Sequence, residues 1–149
     1  MHLGIFERNL RALVSLLIIY GSQVLIIGIG IDIVEISRIK EAEKRWGQRF
    51  LDRIFTEGEI KYSMIHTSPY PRLAARFAVK EAMSKAIGTG ITDGITWKDT
   101  EVISRDSGRP EILLHGKLRK IAESMGVTGI HVSISHDGNY AVAQVVLEG

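Results

Sequence analysis

The spacing of apolar and polar positions changes period several times along the chain, and each change marks an element. Over residues 25–35 it alternates. Ile27, Ile29, Ile31 and Ile33 fall on one side, while Gly28, Gly30 and Asp32 fall on the other, which is the period of a β-strand. Beyond Ser37, a residue type suited to an N-cap, Ile39, Ala42, Trp46, Phe50 and Ile54 recur at helical spacing. Thr56-Glu57-Gly58-Glu59 has the form of a capping box and predicts a short helix to about Met64. A loop follows over 66–71, and Pro71 suits the first turn of the next helix. That helix runs to about Ile87, where Gly88-Thr89-Gly90 stops it. Along it, Ala74, Ala78, Ala82 and Ala86 make an i,i+4 stripe that predicts close packing on a neighbouring element.

From Ile95 onwards the pattern is that of strands. Residues 97–104 and 111–114 flank Arg105-Asp106-Ser107-Gly108-Arg109-Pro110, and residues 131–135 and 140–147 flank His136-Asp137-Gly138-Asn139, so each pair reads as a hairpin. A short helix over 117–125, closed by Gly126, separates them. Consecutive hairpins beside long helices predict an α+β fold, an antiparallel sheet with packed helices. At 149 residues this is one domain with a real core.

Residues 12–31 carry no charge, and Arg8 and Arg11 lie just before them, which resembles a membrane span or a signal h-region. Gly21-Ser22-Gln23 interrupts that run as a turn does, and a span would consume the strand that carries Asp32. The reading adopted is an N-terminal extension over 1–23, helical over about 6–20 and outside the functional domain, which occupies 24–149. An upstream start, with the natural protein beginning near Val24, is the secondary reading of that extension.

Composition narrows the chemistry. The chain has no cysteine, which removes disulfides, thiolate catalysis and thiolate-bound zinc. The net charge of +2 is a mild basic bias. Residues 38–85, however, hold eleven bases against six acids, a surplus that attracts an acidic partner. His2, His66, His115 and His131 form no spaced metal set. Gly28-Ile29-Gly30 lacks the third glycine of a dinucleotide fingerprint and the Gly-Lys-Ser/Thr of a P-loop.

Asp32 is the anomaly, because strands are depleted in aspartate. Its two glycines clear space for a close approach, read here as that of a substrate. On the long helix, Glu81 and Lys85 stack with Phe77 at i,i+4, with Lys80 and Ser84 on an adjoining row. Such a pair is commonly a solvated Glu–Lys contact, but Ala78 and Ala82 beside Glu81 argue for partial burial. Two carboxylates with waters and substrate phosphates are what Mg²⁺ prefers. Lys85, with Lys80, is suited to neutralising phosphate charge as a leaving group departs. His136, at a strand end, suits phosphate binding or proton transfer, although loop histidines are commonly just solvated. Two rivals explain less. A sugar-kinase or actin-like ATPase needs a Gly-Thr after the strand aspartate. A small basic nucleic-acid-binding module leaves Asp32 and Glu81 repelling phosphate.

Together these residues resemble holo-[acyl-carrier-protein] synthase, the small bacterial type of 4′-phosphopantetheinyl transferase. The likeness rests on Gly28-Ile29-Gly30-Ile31-Asp32-Ile33 followed by Arg38, and on Phe77-Ala78-Val79-Lys80-Glu81-Ala82-Met83-Ser84-Lys85-Ala86. It extends through Gly88-Thr89-Gly90, Gly108-Arg109-Pro110 and Val132-Ser133-Ile134-Ser135-His136. The resemblance implies a cytoplasmic, homotrimeric enzyme that moves phosphopantetheine from coenzyme A to a serine of apo acyl carrier protein, for fatty acid biosynthesis. It implies Mg²⁺ on Asp32 and Glu81, with Glu81 and Lys85 catalytic. Coenzyme A would lie on Lys80, Ser84, Lys85, Gly88, Arg109 and His136, the last two reaching a neighbour's site, and the carrier protein on Arg38 and Arg45.

Overall fold

The computed structural model describes residues 9–15, 24–92 and 94–149. Residues 9–15 are helical; the remainder of the helix expected over 6–20 lies outside the described residues. No helix among the described residues is long and apolar enough to cross a membrane.

Strand β1 (Ile26–Glu35) leads directly into α1 (Ile36–Trp46), α2 (Gln48–Ile54), α3 (Glu57–Met64) and the long α4 (Tyr70–Ile87). A 3₁₀ turn (Trp97–Asp99) then opens β2 (Thr100–Ser104), followed by β3 (Pro110–Leu114), α5 (Gly116–Ser124), β4 (Gly129–Asp137) and β5 (Tyr140–Glu148). The expected α+β class is what forms, with every strand pair antiparallel. One sheet has the order β1-β5-β4, and β2 and β3 form a separate ribbon. The first and last strands are therefore neighbours, a long-range pairing that local hairpin signals do not contain.

Three details differ from the sequence reading. Ser37 lies inside α1 and caps nothing; its hydroxyl donates to Glu35 Oε1 instead (2.7 Å). The apolar period through Phe50 and Ile54 is two helices, because Gly47 takes φ of +59° between them. Trp97–Asp99 belongs to a 3₁₀ turn, so the next strand begins at Thr100. The capping box at Thr56 and Glu59, the proline in the first turn of α4 and the left-handed Gly88 that ends it all form as expected.

The core is α4 pressed on the inner face of the larger sheet. Ala74, Ala78 and Ala82 are fully buried, as are Ala141, Ala143, Val145 and Leu147 of β5. Contact with β1 is closer still. A methyl group at Gly30 would stand 1.8 Å from the carbonyl oxygen of Ala82, and one at Gly28 2.1 Å from that of Ala86. The glycines therefore admit the helix backbone, and what approaches them is α4, not a substrate. With glycines and Asp32 inward, the isoleucines turn outward, and Ile29, Ile31 and Ile33 are each more than half exposed.

Candidate active site

Asp32 stands on the inner face of β1, opposite Ala143 of β5 and two residues beyond the glycine contact. Because α4 lies so close, its last turns deliver side chains to that edge. Lys85 Nζ donates to Asp32 Oδ1 (2.8 Å) and to the Ile31 carbonyl (3.0 Å). The Asp32 side chain is largely shielded while the Lys85 side chain is half exposed, so the pair opens to solvent on one side. Glu81 lies one turn before Lys85. Its carboxyl is pushed above the usual glutamate range by burial and then by the Asp32 charge, with Lys85 opposing both. The sequence placed Asp32 on a strand and Glu81 with Lys85 on a helix; the fold brings the two elements together.

Two carboxylates near enough to repel, with one ammonium beside them, make an oxygen-donor set suited to a hard divalent cation. Among the described residues no group of three or more His, Asp or Glu converges anywhere. A cation held by Asp32 and Glu81 keeps most of its coordination positions for water or phosphate oxygens, the habit of Mg²⁺. The donor chemistry fits.

The other expected site residues separate. Lys80 is a correction. Its side chain is fully buried, with Nζ 2.9 Å from Glu59 Oε2 and donating to the carbonyls of Trp97 and Thr100, so it faces away from any ligand surface. Burial pushes its pKa down and the Glu59 charge opposes that. Ser84 is buried as well, whereas Gly88 is exposed as the helix cap. Arg38 and Arg45 lie exposed on α1, and Arg45 stacks over Trp46 (4.9 Å).

His136 lines a cleft of about 250 Å³ with Tyr62, Arg72, Arg76, Ser104 and Ile134. Arg109 borders a different hollow, beside Glu111 and His131. The cleft around His136 contains groups that sequence reasoning passed over. Arg76 is only 4% exposed; its guanidinium lies over the Tyr62 ring (4.1 Å), and its buried Nε has no hydrogen-bond partner. The Tyr62 hydroxyl is drawn below its ordinary pKa by the Ser104 hydrogen bond, against burial, with help from Arg76 and Arg72. Arg72 and Arg76 at i,i+4 were visible only as members of the basic run. Arginines lining a cleft, here Arg72 and Arg76, favour an anion in it.

The two places lie on opposite flanks of α4. Asp32 pairs across β5 with Ala143, which in turn pairs with Ile134 of the cleft, so roughly 10 Å, two strand spacings, separates the backbones.

Known proteins resemble the chain in sequence and in fold. The sequence model of the 4′-phosphopantetheinyl transferase superfamily matches residues 28–145. The chain is 49% identical over 124 residues to a holo-[acyl-carrier-protein] synthase of Koribacter versatilis, covering 83% of this chain and 99% of that protein. Among solved structures it resembles the holo-[acyl-carrier-protein] synthase of Neisseria meningitidis (TM-score 0.78, 36% identity, 84% of this chain and 100% of that one). It also resembles the Helicobacter pylori enzyme in complex with coenzyme A (TM-score 0.71, 34% identity, 80% and 98%). The chain belongs to the holo-[acyl-carrier-protein] synthase family of 4′-phosphopantetheinyl transferases. It is thus an enzyme, and the nucleic-acid-binding alternative falls away.

The raised pKa of Glu81 has a measurable consequence. A carboxyl whose folded pKa lies above its unfolded value contributes stability that is fully present below about pH 4.3, the unfolded glutamate value, and lost as pH rises through the folded pKa. Glu81→Gln, free of that penalty, is expected to melt higher than wild type at pH 8, with the gap closing as pH falls towards 4. A lower melting temperature for Glu81→Gln at pH 8 would contradict the environment described.

Proposed function

We propose that the protein transfers 4′-phosphopantetheine from coenzyme A to a serine of apo acyl carrier protein, with Asp32 and Glu81 as the ligands of a Mg²⁺ ion and Lys85 as the charge-stabilising group. The observation that carries the site assignment is the convergence of Asp32, Glu81 and Lys85 at one sheet edge. Mg²⁺, when bound, supplies charge neutralisation at the pyrophosphate. The serine oxygen attacks the β-phosphorus, the bond to the departing adenosine 3′,5′-bisphosphate breaks, and the serine proton leaves to solvent or a base. Lys85, half exposed beside Asp32, stabilises the negative charge that builds on the leaving group. Positioning and electrostatics carry such a transfer, and the residues here supply both.

Three further roles rest on the same reading. The cleft of Arg76, Tyr62 and His136 holds a phosphate of coenzyme A, an assignment supported by the two arginines, Arg72 and Arg76, that line it. Ser84, Gly88 and Arg109 remain assigned to coenzyme A by motif alone. Arg38 and Arg45, with Lys40, Lys44, Arg49 and Arg53 also exposed, form the docking face for the acidic carrier protein. Residues 24–149 form the transferase domain and 1–23 an extension outside it, as supported by the 124-residue match to nearly the whole of its relatives. The enzyme works in the cytoplasm, supplying carrier protein for fatty acid synthesis.

The direct test is intact-mass analysis of apo acyl carrier protein incubated with coenzyme A, Mg²⁺ and this protein. A phosphopantetheine mass gain is expected, reduced about 100-fold or more in Asp32→Ala and in Glu81→Ala while both stay folded. Near-normal rates in either variant would remove the metal assignment.

Assembly is a homotrimer. The exposed isoleucine face of β1 is an apolar patch that a lone chain leaves in water and that a neighbouring copy would cover. Light scattering is expected to return three times the chain mass, and Ile31→Asp to give an inactive monomer. An active monomer would overturn this.

A further inference from the structure

The Lys80–Glu59 ion pair has no exposure on either side chain, and no step of the transfer uses it. Burying two charges is costly unless their remaining valences are met. Here they are met. Lys80 Nζ also donates to the Trp97 and Thr100 carbonyls, and Glu59 accepts from the backbone N–H of Thr56 (2.8 Å) and Val102 (2.9 Å). One pair thereby fastens α4 to the start of α3, to the 3₁₀ turn and to β2.

The opposite side of α4 is held differently, by Ala82 and Ala86 against the glycines of β1. At 3.6 residues per turn, successive side chains point about 100° apart. Lys80 and Ala82 therefore anchor nearly opposite faces of the helix, and Glu81 projects midway between them. We propose that Lys80, held by Glu59, is a positioning residue that fixes the rotation of α4 and so aims Glu81 at Asp32. It touches no substrate. An ammonium with three oxygen partners has one position along and around the helix, whereas an apolar side chain there could slide. Replacing a buried pair by apolar residues is often neutral for stability, so direction rather than stability is what the pair contributes. The inference rests on Asp32 and Glu81 being the metal ligands.

Mn²⁺ affinity, read by the paramagnetic resonance of free Mn²⁺, tests this beside kcat and KM. In Lys80→Met and Glu59→Gln, Mn²⁺ binding is expected to weaken and kcat to fall about tenfold each, with the KM for coenzyme A unmoved. The sequence contains no cysteine, so Lys80→Cys can be alkylated with 2-bromoethylamine in denaturant and refolded to restore an ammonium at that position alone. Recovery of both Mn²⁺ affinity and kcat is expected. Glu59→Gln keeps the size of the side chain and serves if Lys80→Met does not fold. Variants with lowered melting temperatures but wild-type Mn²⁺ affinity and kcat would overturn the proposal, as would alkylation that restores neither. Wild-type protein that transfers phosphopantetheine yet binds no Mn²⁺ would overturn the metal reading; the positioning claim then stands or falls on kcat and its rescue by alkylation.

Discussion

The backbone contact between α4 and β1 is the constraint on which the rest depends. Gly28 and Gly30 have no side chains to hold the helix away, and Ala82 and Ala86 let its carbonyl oxygens into the space a methyl group would fill. Close packing fixes geometry because dense interiors do not deform continuously. At this separation, Lys85 reaches Asp32 directly and Glu81 feels the charge of Asp32. One more carbon on β1 would move a whole helix, and with it two of the three charged groups of the site. The glycines act at one remove: they place the carboxylates, and the carboxylates place the substrate.

That packing also orders the charges of α4. Its sides do different work, with Arg76 and Lys80 sharing one row at i,i+4. Alanines meet the sheet, Lys80 is buried towards α3 and β2, Glu81 and Lys85 open at the β1 edge, and Arg76 faces the cleft by β4. Bases that looked equivalent in a basic run have distinct environments. Lys80 is desolvated and paired, Lys85 is half exposed, and Arg76 is buried over a tyrosine ring with one donor unpaired. Local net charge counted along the sequence therefore overstates the basic surface, which is carried by the exposed arginines and lysines of α1 and α2.

Much of this was legible before any coordinates. Capping residues, the alanine stripe and the hairpin signals determine elements through local backbone chemistry, and those elements form. Asp32 stood out because a strand acid has no local reason to be there. What sequence could not convey was long-range. The β1–β5 pairing joins the two ends of the domain, and the outward turn of the isoleucines follows from which face α4 selects. Lys80 was misjudged because its partner, Glu59, is on another helix, where it already had a visible job as the capping residue. Tyr62 and Arg76 gave no signal, since an aromatic and a base far apart in sequence become a cleft only once α3 and α4 pack.

The central claim is that the glycine contact sets the site, and one comparison tests it most directly: Gly30→Ala against Gly58→Ala, a control whose added methyl meets only ordinary contact distances. Stability and transfer rate are measured on both. The account predicts a loss of about 1–3 kcal/mol or more for Gly30→Ala from overpacking, and a fall of about 100-fold in rate from displaced carboxylates. Gly58→Ala should change neither adversely. A Gly30→Ala protein that is as stable and as fast as wild type would contradict the account.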